Sequence, residues 1–145
     1  MSYLYNNAKK LFLNGSIAFT TTTLKVMLVT ASYTADADDV YVSSASSYEL
    51  TGTGYTSGYG NSGRKTLASK TVTVDNTLDR AVCDAADLTW TAITAGTVAA
   101  ALVVYETGGS DATALLVQYC DLPRFVTDGT DYVLTWPSTG VFYLS

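Results

Sequence analysis

Two runs decide the class of fold: Val98-Ala99-Ala100-Ala101-Leu102-Val103-Val104-Tyr105-Glu106 and Ala114-Leu115-Leu116-Val117-Gln118-Tyr119-Cys120. Each has strand length and is rich in residues that favour extended backbone, and Gly108-Gly109-Ser110 supplies turn chemistry between them. The same grammar repeats outward. Strand signals fall at Ser16–Thr20, Leu24–Thr30, Thr66–Val74, Ala81–Cys83, Leu88–Ile93, Tyr132–Trp136 and Val141–Leu144. Turns are expected around Asp75–Asp79, at Asp128-Gly129 and at Pro137-Ser138-Thr139-Gly140. Short strands at this spacing predict an all-β chain, a β-sandwich or jelly roll of antiparallel sheets spanning residues 1–145 as one domain.

One segment departs from the β pattern. Leu4, Ala8, Leu11 and Phe12 recur at helical spacing and make one apolar stripe. Ser2 is placed to cap the start, and Asn14-Gly15 to stop the helix. Residues 1–14 are therefore read as an N-terminal helix or arm, and residues 31–63 as a long loop or arm. The loop carries Asp36, Asp38 and Asp39, a serine run and four tyrosines, Tyr41, Tyr48, Tyr55 and Tyr59. Tyrosines in a loop serve either as recognition anchors or as packing onto the chain's own body. Both readings stand at the level of sequence.

Composition narrows the chemistry. The 145 residues include 23 Thr, 13 Ser and no His, and only 14% are charged, against roughly 25% in an average domain. Without histidine, a Ser-His-Asp or Cys-His nucleophile system and His-ligated zinc are excluded. A net charge of −5 disfavours binding to phosphate backbones, so no nucleic-acid partner is expected. The N-terminal residues lack the pattern of a signal peptide, and the weakly polar stretch Ala92–Tyr105 is too short to cross a bilayer. No membrane partner, cofactor, metal site or catalytic residue is expected. Cys83 and Cys120 are read as buried free thiols, with a single disulfide as the alternative.

Several motif-like strings have simpler readings. Gly58-Tyr59-Gly60-Asn61-Ser62-Gly63 matches a dinucleotide fingerprint by letter, but a loop precedes it and a strand signal follows. Asp36-Ala37-Asp38-Asp39 lacks calcium-loop spacing. Asp84 and Asp87 are expected to cap a short helical turn rather than act as an acid–base pair. Ser69 and Lys70 are neighbours on a strand and point to opposite faces.

Taken in order, the segments resemble a family of small virion proteins of tailed bacteriophages. The matching pieces include Leu4–Phe12, Thr23–Val29, Glu49 with Gly52-Thr53-Gly54-Tyr55, and Lys70–Val74. Asp84-Ala85-Ala86-Asp87-Leu88-Thr89-Trp90 is the most specific; Val103–Gly108, Leu115–Tyr119 and Val133–Pro137 follow. Cys120–Phe125 departs from the family pattern. The resemblance implies a non-enzymatic structural role, that of a head-decoration (cement) protein on the virion, made in the host cytoplasm. Its partners would be the major capsid protein or another virion protein, and copies of itself in a dimer or trimer. A tail, neck or baseplate component, or a host-receptor or glycan-binding module, are the alternatives. The expected interface residues are Leu4, Ala8, Leu11 and Phe12 on the helix, and Tyr41, Tyr48, Tyr55 and Tyr59 in the loop.

Overall fold

The computed structural model describes all residues, 1–145. The chain is mostly β, with three antiparallel sheets and one α-helix. In order, the elements are β1 (Tyr3–Leu4), α1 (Asn6–Leu13), β2 (Lys25–Val29), β3 (Lys65–Thr66), β4 (Thr71–Asp75), β5 (Arg80–Asp84), β6 (Leu88–Trp90), β7 (Thr97–Tyr105), β8 (Leu115–Val126), β9 (Tyr132–Leu134) and β10 (Phe142–Leu144). The largest sheet runs β1-β8-β7-β2-β3; β10-β5-β4 and β6-β9 form the smaller two.

The apolar runs that announce β7 and β8 pair with each other at the heart of the large sheet. Val26–Val29 of β2 and Ala100–Val104 of β7 are buried without alternation, so both faces of this sheet are covered. One contiguous core extends from Leu4 to Phe142, with Trp90, Tyr5 and Tyr55 as its largest fully buried side chains. β8 is longer than its sequence suggests because it continues through Pro123. Its pairing with β7 skips there, between Ala100↔Asp121 and Val98↔Phe125, and a proline can sit in such a bulge without breaking a ladder of hydrogen bonds.

Four expectations are corrected. Ser16–Thr20 is a turn rather than a strand, since Thr22 accepts the Ala18 N–H with its hydroxyl and donates its own N–H to the Ala18 carbonyl. Thr66–Val74 is split at Ser69, whose φ of 52° breaks the extended run into β3 and β4. Residues 31–63 are a long loop and not an arm: two 3-10 turns, Val42–Ser44 and Ser46–Tyr48, seat Val42, Ala45, Leu50 and Tyr55 in the core. Ser2 does not cap α1; its hydroxyl accepts the Asp121 N–H, and Tyr5 is the N-cap with no side-chain cap bond. The stop at Asn14-Gly15 does form, with Gly15 at φ +77°.

Candidate interaction surface

The densest group of charges in the chain is internal. Arg64 follows the glycine-rich stretch and is buried, with its guanidinium bound to three carboxylates. Its Nε and Nη2 donate to the two oxygens of Glu49 at 2.9 and 2.7 Å, a bidentate pair. Its Nη1 and Nη2 reach Asp111 at 2.7 and 3.0 Å, and Nη1 also reaches Glu106 at 3.1 Å. Lys25 holds the other Glu106 oxygen at 2.5 Å. Burial works against charge on both Arg64 and Glu106, but the partners outweigh it. The Arg64 pKa is raised further by Glu49 and Asp111, and the Glu106 pKa is lowered by Lys25, the Gly60 N–H and Arg64. Every group in this cluster is bonded within the chain, so its work is to tie the loop between β2 and β3 to β2 and to the connection between β7 and β8. The sequence did carry a signal for it: an arginine that closes the uncharged stretch 50–63 must find carboxylates if it is buried.

This cluster decides what the tyrosine loop does. The Tyr55 hydroxyl, on a side chain 1% exposed, accepts the Leu28 N–H at 2.9 Å and donates to Glu49 at 3.0 Å. Tyr59 is half-buried, and its hydroxyl accepts the Gly109 N–H at 3.2 Å. Of the expected loop anchors, Tyr55 is therefore a core residue and Tyr59 a local clamp. Tyr41 and Tyr48 do face solvent, at 47% and 37% exposure. The letter match at Gly58–Gly63 is explained by packing. A Cβ on Gly63 would meet the Tyr55 ring and the Thr56 carbonyl at 2.5 Å.

The helix stripe is likewise spent internally. Leu4 and Ala8 are buried, and Leu11 and Phe12 pack half-buried against the core, with the Phe12 ring 5.3 Å from that of Phe142. The expected docking of this stripe on a partner is corrected accordingly: α1 lies on β8 and covers the chain's own sheet. The acidic run is local too. Asp36 accepts the Asp38 N–H, and Asp38 accepts from the Asn6 side chain at the start of α1. No helical turn forms at Asp84–Asp87. Asp87 instead accepts the Trp136 N–H at 3.0 Å, and Trp136 Nε1 donates to the Ala86 carbonyl at 3.1 Å, which joins the start of β6 to the end of β9. Cys83 and Cys120 are free and buried. No group of three or more His, Cys, Asp or Glu is placed to hold a metal ion.

Part of what the chain presents outward is apolar. In the β10-β5-β4 sheet, Val72 pairs across to Cys83 and Phe142, and Val74 to Ala81 and Leu144, so these six side chains share one face. Cys83 and Phe142 are buried, which makes it the core-facing side. Towards the hairpin tip this face runs out beyond the core and leaves Val72, Val74 and Leu144 at 50%, 74% and 49% exposure. Leu78, at the turn, is 57% exposed. The sequence reading had Val72 and Val74 as strand residues but gave them no role, because it could not show that the core ends before the strand does.

A cleft of about 470 Å³ opens beside β10, lined in part by Phe142, Tyr143 and Leu144 and, across from them, by Tyr3, Leu122 and Trp136. The buried Gln118 stands in its wall. Its Nε2 donates to the Val141 carbonyl at 2.5 Å, while its Oε1 accepts from no group of the chain. No helix is long and apolar enough to cross a membrane. No protein-family model, curated protein or solved structure matches the chain.

Proposed function

We propose that the chain is a non-enzymatic structural protein of a tailed-bacteriophage virion, a β-sandwich that decorates the outer head surface and stabilises contacts between capsid subunits. The observation that carries this reading is the division of labour among side chains. The Arg64 charges are consumed inside the fold, whereas Val72, Val74, Leu144, Tyr41 and Tyr48 are offered to the outside. A surface of that kind acts through contact area, and many copies on one particle multiply a modest affinity. The ordered resemblance to small virion proteins points the same way. Its location would be the virion, and its partners the major capsid protein and copies of itself. The test is the copy number in purified particles. Hundreds of copies are expected; a few copies to a few dozen would reassign the chain to the tail, neck or baseplate. Particles lacking the protein should also burst at lower temperature, and unchanged robustness would overturn the cement role.

The cleft favours a second reading. Its volume of about 470 Å³ is in the range of ligand sites, and the rings of Tyr3, Trp136 and Tyr143 suit a sugar face, as in a receptor- or glycan-binding module. A glycan array without hits removes that reading.

A further inference from the structure

We infer that β4 is the pairing edge of a symmetric dimer, in which the β4 strands of two copies join antiparallel about a two-fold axis at Thr73. The inference deepens the oligomeric part of the proposed function, but it stands on the geometry of one strand and needs no capsid.

β4 ends its sheet: β5 pairs along one side and no strand lies on the other. An open edge is normally guarded by a lysine or proline within the strand, a bulge, or an inward-pointing charge. β4 has none of these. Thr71-Val72-Thr73-Val74 is uncharged, all four residues are exposed, and the register with β5 runs unbroken from Thr71↔Asp84 to Asp75↔Arg80. The charges sit at the two ends. Lys70 precedes the strand, its ammonium donating to the Thr22 carbonyl, and Asp75 closes it, 3.0 Å from Arg80.

That layout selects the occupant. Antiparallel pairing of two β4 strands sets the basic end of each beside the acidic end of the other; parallel pairing would set like ends together. With the axis at Thr73, Val72 of one copy faces Val74 of the second and Thr71 faces Asp75, so no like charges oppose each other. Both valine pairs then fall on the same face. The result is one six-stranded antiparallel sheet in which the four valines form a continuous apolar row where each copy alone has a ragged edge. The contact is isologous and closes at two copies. It is the strand-addition mode of recognition, with main-chain hydrogen bonds for affinity and the alternate side chains for register.

The experiment uses the full chain. Sedimentation velocity across a concentration series is expected to show a monomer–dimer equilibrium. Val74→Lys places a charge on an already exposed site of the edge, and should weaken the dimer at least tenfold while circular dichroism and the thermal midpoint of the monomer are unchanged. A second pair of variants reads the register. Thr73→Cys brings two thiols to directly opposed positions, where Cα atoms lie about 4.5–5.5 Å apart, within disulfide reach. Thr71→Cys leaves its two thiols four residues out of step, about 14 Å apart at about 3.4 Å per residue. Mild oxidation should therefore cross-link Thr73→Cys and spare Thr71→Cys. A chain that is monomeric throughout, a dimer indifferent to Val74→Lys, or equal cross-linking of the two cysteine variants would each overturn the inference. Failure here with hundreds of copies on the particle would leave the decoration reading intact, and a β4 dimer absent from particles would do the reverse.

Discussion

Replacing Arg64 by methionine removes five hydrogen bonds, two to Glu49, two to Asp111 and one to Glu106, while keeping an unbranched apolar stem in the cavity. Charge-assisted bonds at about 1.5–3 kcal/mol each would sum to about 7–15 kcal/mol, as much as a whole domain's stability of about 5–15 kcal/mol. Most of that gross figure is therefore offset in the folded protein by the desolvation of the guanidinium. The usable magnitude is the cost of orphaning a buried partner, about 3–5 kcal/mol. The details support that range. Lys25 still holds Glu106, and the Asp111 side chain, 20% exposed, regains water, but the Glu49 side chain is 1% exposed and keeps only Tyr55 and the Gly58 N–H. At about 2–4 °C per kcal/mol for a chain of this size, the thermal midpoint should fall by about 6–20 °C. Urea unfolding at neutral pH measures the loss, with the exposed Arg124→Met as a control expected to stay within about 0.5 kcal/mol. Adding Glu49→Gln to Arg64→Met removes the orphaned charge and should recover part of the deficit, a coupling that a double-mutant cycle isolates. A cost below about 1 kcal/mol for Arg64→Met, or strictly additive effects, would refute the view that this cluster holds the loop.

Four further outcomes are expected. Gly63→Ala forces a methyl group against the Tyr55 ring and the Thr56 carbonyl, and should cost about 1–3 kcal/mol by calorimetry, whereas Gly60→Ala meets no neighbour and should suffer only from its positive φ. Ala8→Leu overfills the contact between α1 and β8 and should lower stability by about 1–3 kcal/mol; a helix that merely docked on partners would tolerate it. Stability should fall at both pH extremes. Glu106 has a lowered folded pKa, so its contribution is present above the unfolded value near 4.3 and is lost as pH drops. Burial raises Tyr33 to about 12 and lifts Tyr5 and Tyr55 well above the usual tyrosine value, so their contribution is complete below about 10 and is lost as pH climbs past it; equilibrium urea midpoints from pH 2 to 12 report both limbs. Burial also pushes the Cys83 thiol to about 11 and the Cys120 thiol to about 12, so a thiol reagent at mildly alkaline pH should label neither until denaturant is added.

Much of the fold was legible because β7 and β8 carry long apolar runs that only a covered sheet can accept, and α1 carries a stripe with a clean Asn14-Gly15 stop. What was not legible turned on competition at short range. Thr22 captures the Ala18 backbone and makes a turn of an apparent strand, and Ser69 at positive φ cuts another in two. The site was harder still. Nothing in the spacing of Tyr41, Tyr48, Tyr55 and Tyr59 distinguishes the ring that fills the core from those that face water. That choice is made by Glu49, which receives Tyr55 only because Arg64, at the end of the same loop, folds back onto it. The outward valines were written plainly as Thr-Val-Thr-Val, yet their exposure depends on where the core stops.

The joining of Glu49, Arg64, Glu106 and Asp111 has a kinetic side. Glu49 and Arg64 lie in the loop between β2 and β3, Glu106 and Asp111 more than 40 residues further on after β7, and their charges are tolerable in the interior only once all are assembled. The β7–β8 pairing closes locally and can form early, but the Arg64 bonds must wait for the loop between β2 and β3 to come home. Bonds missing from the transition state leave the folding rate alone and act on the way out, as a brake on unfolding. The cluster thus lengthens the lifetime of the folded chain more than it hastens its birth.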